Sequence, residues 1–128
     1  MEVILDTNAL SALLDGDEDL RAILGKVSQV LLSPIVLGEY RFGIHASRHR
    51  QEYEKELRLL EKCLHVLISD ARTAVEYAAV RNELKSAGTP IPWHDIWIAA
   101  QARQYDVRIL SKDSHFDVVD GVKRVSWG

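Results

Sequence analysis

Short apolar runs alternate with longer amphipathic stretches along this chain, and that alternation predicts strands separated by helices. Val3-Ile4-Leu5 is an uninterrupted apolar run and predicts a first strand. Val30-Leu31-Leu32, Val66-Leu67-Ile68 and Val107–Leu110 predict three more, and Val122–Val125 alternates like a last one. Thr7–Leu14 and Glu18–Gly25 read as short helices parted by the polar turn Asp15-Gly16-Asp17. Ser33-Pro34 supplies an N-cap and a proline at the first helical position, and the helix it starts runs past Glu39 toward Ile44. Arg48–Lys62 is charged, with leucines at 57, 60 and 64 at helical spacing. Asp70 caps a helix over Ala71–Ser86 that stops before Gly88, and Thr89-Pro90-Ile91-Pro92 is a rigid loop. Trp93–Tyr105 is an apolar, alanine-rich helix, and Asp113–Phe116 is a short turn. Strands joined by helical crossovers argue for a parallel α/β sheet with helices on both faces. Ligands of such sheets sit at the carboxyl ends of the strands, which makes acids just after strands worth attention.

Composition narrows the picture. The chain has 128 residues, 47% of them apolar, enough for one sizeable core and one domain over residues 1–128. No apolar run approaches the roughly 20 residues needed to cross a bilayer. The N-terminus enters an apolar run and then an acid without a basic segment, so no signal peptide is expected and the cytoplasm is the expected location. Cys63 is the only cysteine, which excludes an intrachain disulfide and argues against a cysteine-based zinc site; it is expected to be a small buried hydrophobe. The net charge of −3 excludes nucleic-acid binding by bulk positive charge. Any contact with RNA must be local, metal-mediated or shared with a second subunit.

Four acids carry the chemistry. Asp6 directly follows the first strand, where it either serves a site or caps the next helix. Glu39 has Ile35, Val36, Phe42 and Gly43 as helical neighbours, an apolar face on which a carboxylate needs a partner or a metal unless it reaches solvent. Asp95 repeats that pattern among Ile91, Pro92, Ile98 and Ala99, in a first helical turn where the helix dipole also favours an acid. Asp113 follows the Val107–Leu110 strand, with Asp117 four residues on as a competitor for its role; Asp120 beside Gly121 is a turn residue. Four converging carboxylates repel one another unless a cation neutralises them. Oxygen donors suit Mg²⁺ or Mn²⁺, ions that activate water and stabilise charge on a phosphodiester under attack.

Four stretches resemble the PIN-domain nucleases, in particular the small ribonuclease toxins of the VapBC toxin–antitoxin type. They are Leu5-Asp6-Thr7-Asn8-Ala9-Leu10, Val36-Leu37-Gly38-Glu39, Asp95-Ile96-Trp97-Ile98-Ala99-Ala100 and Leu110-Ser111-Lys112-Asp113-Ser114-His115-Phe116. They fall in the family's order and spacing, and the resemblance covers nearly the whole chain. It implies a three-layer α/β/α fold with a central, mainly parallel sheet and Mg²⁺- or Mn²⁺-dependent cleavage of RNA. Asp6, Glu39, Asp95 and Asp113 would be the metal ligands, with Asp117 as the alternative fourth, and Thr7, Asn8 and Ser111 would orient them. His94 stands where many relatives carry Asn, and Ser111 where many carry Thr; His94 is expected to cap the helix rather than contact a phosphate. The resemblance also implies a homodimer and a small VapB-like antitoxin whose tail enters the acidic cleft and which carries the DNA-binding function.

The remaining chemistry is sparser. Arg41, Arg48 and Arg50, with His45 and His49, form a basic run that either tracks an RNA backbone or makes a solvated face balanced by Glu52, Glu54 and Glu56. His45 and His49 are four apart, but no third zinc ligand accompanies them. Trp93, Trp97 and Trp127 can stack on bases, although Trp97 on its alanine-rich helix fits a core or an interface better. No Gly-rich phosphate loop and no local Cys–His or Ser–His–Asp arrangement is present. Two other functions compete with a nuclease. An Asp6-based phosphatase or phosphotransferase would want a second acid at position 8, which is Asn. A non-catalytic α/β binding domain would use the acids for binding or only as caps.

Overall fold

Val3, Ile4 and Leu5 are each fully buried, and three consecutive buried side chains mean that both faces of their strand are covered. In the computed structural model, which describes all 128 residues, β1 (Glu2–Leu5) is accordingly the central strand of a five-stranded sheet. The other strands are β2 (Gln29–Leu32), β3 (His65–Val66), β4 (Arg108–Leu110) and β5 (Arg124–Val125), in the order β3-β2-β1-β4-β5. Every pairing is parallel, with Ile4 opposite Leu31 on one side and Ile109 on the other. The helices α1 (Thr7–Leu14), α2 (Glu18–Leu24), α3 (Pro34–Ile44), α4 (Arg50–Cys63), α5 (Ala71–Ala87) and α6 (Trp93–Tyr105) flank the sheet, with a 3-10 turn at Ser114–Val118. No helix is long and apolar enough to cross a membrane.

The topology places the site. From β1 the chain moves outward through β2 to β3, then returns across the sheet to add β4 on the opposite side of β1. The strand order therefore reverses between β1 and β4, and the crevice at their carboxyl ends is where sheets of this kind hold ligands. Residues 6 and 111–113 leave the sheet at that crevice.

Local signals explain the helices that bound it. Ser33 caps α3 through its hydroxyl, which accepts the Ile35 N–H at 3.2 Å. Asp70 and Thr73 form a reciprocal capping box on α5, which ends on Gly88 in the left-handed conformation at φ 70°. Helix α6 buries Ile96, Ile98, Ala99, Ala100 and Ala102, and its small side chains let α5 pack closely against it. Gln101, fully buried on α6, contacts the Ser33 hydroxyl and donates to Ser69 Oγ at 3.0 Å. One amide thus joins the helix carrying Asp95 to the cap of the helix carrying Glu39.

Three expectations need correction. The third strand lies at His65–Val66, not Val66–Ile68: Leu67 still bonds Leu32 O at 2.8 Å, but Ile68 has left the sheet and is 69% exposed. Cys63 is exposed, because it ends α4 on the side away from the face that Leu57 and Leu60 turn toward the core. The last strand pairs only at Arg124–Val125, since Val122 precedes its first paired residue. The other elements begin and end within two residues of their expected bounds.

Gln101→Leu is expected to lower unfolding free energy by about 1–3 kcal/mol in chemical denaturation, because it leaves Ser33 and Ser69 without their buried partner. An unchanged midpoint would show that the amide contributes nothing net.

Candidate active site

Asp6 is held by both strands of the switch point. Its N–H bonds Leu110 O at 3.0 Å, which ties the end of β1 to the end of β4. Its carboxylate is 5% exposed. Oδ1 accepts the Thr7 N–H at 2.8 Å, capping α1, and Oδ2 accepts the Ser111 hydroxyl at 2.7 Å. Asn8 donates from Nδ2 to Ser111 Oγ at 3.2 Å and more weakly to Asp6 Oδ2 at 3.4 Å. Its Oδ1 accepts the Lys112 N–H at 3.2 Å, and Ser111 Oγ also accepts the Asp113 N–H at 2.9 Å. Asn8 and Ser111 therefore lock two loops, from strands far apart in sequence, into one unit. Thr7 acts through its backbone; its hydroxyl is buried without a partner.

Asp95 lies in the first turn of α6, 4% exposed. Each of its oxygens faces an imidazole. His94 Nε2 is 3.6 Å from Asp95 Oδ1 and 3.7 Å from Glu39 Oε2. His115 Nδ1 is 3.1 Å from both Asp95 Oδ2 and Asp113 Oδ1. Donor atoms of Asp95, Asp113 and His115 all lie within 4.8 Å of one another, close enough to share a metal ion. Glu39 arrives from α3 with its Oε1 buried and without a hydrogen-bond partner. No lysine or arginine forms an ion pair with any of the four acids.

The electrostatics follow from that arrangement. Burial pushes the Asp6 carboxyl above its ordinary value, the Ser111 and Thr7 hydrogen bonds oppose this, and the Asp95 and Asp113 charges add to it. Burial also raises Glu39; His94 works against that rise, and Asp6 and Asp95 work with it. The contact with Asp95 raises His115, assisted by the charges of Asp113, Asp95 and Asp6. All four acids thus act within one field.

The other sequence candidates lie elsewhere or are engaged. Asp117 is bound through both oxygens by Arg124, at 2.8 and 2.9 Å, which holds its carboxyl below the ordinary range. Arg41 is spent on Glu54 and Glu61, at 3.0 and 2.6 Å. Arg48, between α3 and α4, and Arg50, which opens α4, are exposed, and Arg50 contacts His45 Nδ1 at 3.3 Å. Trp97 stacks on Tyr77 with ring centroids 4.0 Å apart, and Trp127 is buried.

Two expectations change. His94 does not cap α6, where no side chain caps the N-terminus; its ring faces the acids. Phe42 does not cover Glu39 with apolar surface, being 86% exposed, whereas Val36, three residues before Glu39, is fully buried. His115 went unassigned in the sequence, and its one signal is its place two residues after Asp113.

Raised carboxyls make the metal-free protein sensitive to pH. Between the ordinary carboxyl values and the raised ones, the native state binds more protons than the unfolded chain, so stability falls as pH rises. His115 acts in the same direction above its ordinary 6.5. Asp6→Asn isolates one share. In EDTA its melting temperature is expected to match wild type at pH values where the Asp6 carboxyl is protonated and to exceed it at about pH 8. A gap independent of pH would remove the electrostatic explanation.

Comparison with known proteins now adds ancestry to the geometry. A family model described as the PIN domain matches residues 3–122. Ribonuclease VapC1 of Haemophilus influenzae (strain R2866) is 30% identical over 134 aligned residues, covering 99% of this chain and 98% of the relative. Ribonuclease VapC2 of Rickettsia felis is 27% identical over 106, covering 80% and 79%. Among solved structures, DNA-bound VapBC from Salmonella typhimurium matches with a TM-score of 0.90 at 24% identity, covering 100% of this chain and 99% of that one, a likeness that speaks for the fold alone. With its four acids at the β1–β4 crevice and a family match over nearly its full length, this chain belongs to the PIN domain family.

Proposed function

We propose that this chain is an endoribonuclease toxin that hydrolyses RNA phosphodiester bonds at the acid pocket with Mg²⁺ or Mn²⁺, and that a small VapB-like antitoxin neutralises it. The relatives named above are ribonucleases, and the matching solved structure is a VapBC assembly. The observation that carries the proposal is the pocket's unbalanced charge. Two nearly buried carboxylates, Asp6 and Asp95, stand beside Asp113 and Glu39, and the only groups that ion-pair with these acids are the imidazoles of His94 and His115. Such a group is costly without a cation.

The donor set fits a hard divalent ion: carboxylate oxygens, one of them the buried and unpartnered Glu39 Oε1. Asp6, Asp95, Asp113 and Glu39 would hold it. When bound, the ion supplies an activated water and neutralises charge developing on the phosphate. This chain's residues do the positioning. Ser111 and the Thr7 N–H fix both oxygens of Asp6, and the Asn8 amide fixes Ser111. Asp113 takes the fourth place, because Asp117 is already neutralised by Arg124.

The test is cleavage of a defined single-stranded RNA by purified protein, with mass spectrometry of the ends. EDTA is expected to stop cleavage, and Mg²⁺ or Mn²⁺ to restore it. Asp6→Asn, Asp95→Asn and Asp113→Asn are each expected to lower kcat/KM more than about 100-fold, and Ser111→Ala to weaken metal binding about 10- to 100-fold. Asp117→Asn is expected to retain activity. Cleavage that persists in EDTA defeats the metal role, and loss at Asp117 with retention at Asp113 reverses the assignment of the fourth acid.

A further inference from the structure

Trp93 is 63% exposed, although it begins a helix that otherwise turns most of its large apolar side chains inward. It lines a cleft of about 340 Å³, within the range of small-ligand sites, together with Leu84, Pro90 and Ile91. Arg81 and Lys85 complete the rim, and no carboxylate lines it. In a chain of net charge −3, an apolar cleft bordered only by cations selects for an aromatic ligand that brings negative charge. Arg81 is held in place, donating from Nη1 to the Tyr77 hydroxyl at 2.9 Å with its guanidinium 5.9 Å from the Tyr77 ring.

The cleft adjoins the acid pocket. The Trp93 and His94 rings are 5.9 Å apart, and His94 Nε2 is in turn 3.6 Å from Asp95 and 3.7 Å from Glu39. The His94 ring thus links the indole to the carboxylates. An indole face accepts any base by stacking, and flanking cations take the phosphates on either side.

We propose that this cleft is a nucleobase subsite, in which the base of a nucleotide adjoining the scissile phosphate stacks on Trp93 while Arg81 and Lys85 contact the backbone beyond it. The proposal rests on the ribonuclease reading above. It assigns part of the RNA path to the α5–α6 side of the pocket, and not to the basic run after Glu39, where Arg41 is already neutralised by Glu54 and Glu61.

Two measurements test it. The first is quenching of tryptophan fluorescence by a short single-stranded RNA in the cleavage-impaired Asp6→Asn background. Trp93→Ala is expected to weaken binding about 10- to 100-fold, while Trp93→Phe keeps most of the affinity and loses most of the quench. Lys85→Ala is expected to reduce the salt dependence of binding by about one phosphate contact. The second is steady-state cleavage by otherwise wild-type protein, where Trp93→Ala is expected to raise KM more than it lowers kcat. An RNA made abasic at one position beside the cut should show the same loss, and the two losses should not add.

Affinity within twofold of the parent for Trp93→Ala, or abasic losses that add fully to it at every position, would overturn the subsite. So would weakened antitoxin binding with unchanged RNA affinity, which assigns the cleft to the protein partner. Failure of the underlying activity is separable: an RNA that wild type leaves uncut in Mg²⁺ and Mn²⁺ ends the ribonuclease reading, while the quench still scores the stack.

Discussion

Repulsion among carboxylates gathered at one sheet edge is the constraint around which this protein is organised. Asp6 and Asp95 are nearly buried, and burial together with the Asp95 and Asp113 charges holds the Asp6 carboxyl above its ordinary value. A chain selected for stability alone would place an apolar residue or a cationic partner there. Instead, Arg124 pairs with Asp117, Arg41 with Glu54 and Glu61, and Arg103 with Glu76 and Glu83, and none of them forms an ion pair with the four acids. The pocket's acids are left to the two imidazoles. Stability is given up locally so that binding energy is available at the same place.

Holding repelling groups together requires rigid supports, and the fold supplies them in layers. The parallel pairing of β1 with β4 brings residues 6 and 111 side by side, and Ser111 turns that adjacency into a hydrogen bond at 2.7 Å. Asn8 then bridges both loops. Asp95 comes on a helix whose small buried side chains fix it against α5, and Gln101 of that helix meets the cap of α3, which brings Glu39. Asp6, Asp95 and Asp113 stand at element ends and Glu39 in the middle of α3, and the segments that carry them are cross-linked through Ser111, Asn8 and Gln101. The supports lie mainly in backbone hydrogen bonds and neutral side chains, so they do not cancel the charge they hold.

The exposed edge of the site has its own logic. Phe42 and Trp93 stand out on the two helices that deliver Glu39 and Asp95. On the Trp93 side the accompanying charges are positive, which complements a polyanion and separates recognition of the chain from the chemistry on its phosphate.

Much of this was legible in the sequence. Apolar runs marked four strands because a strand buried on both faces must be continuously apolar, and alternation marked the fifth at the sheet's edge. Ser33-Pro34, Asp70 and Gly88 marked helix ends because capping is chemistry between neighbours. Asp6, Glu39, Asp95 and Asp113 stood out for their places beside strands and on helices, and the family resemblance put them in order. The places where the sequence misled are those decided by distant neighbours. Ile68 and Cys63 look like core residues, yet the sheet has ended and the helix face has turned away where they stand. Phe42 looked like cover for Glu39, but nothing folds over it.

Local patterns determined the elements, their parallel arrangement and the four acids, because periodicity, capping and strand burial are properties of adjacent residues. Only the tertiary structure decided which charges remain free. That Asp117 is neutralised by Arg124 while Asp113 faces His115 and Asp95, and that His94 and His115 reach Asp95 from opposite sides, depends on side chains separated by as many as twenty residues. Whether a carboxylate is neutralised depends on distances of a few ångströms in space, which spacing along the chain does not encode.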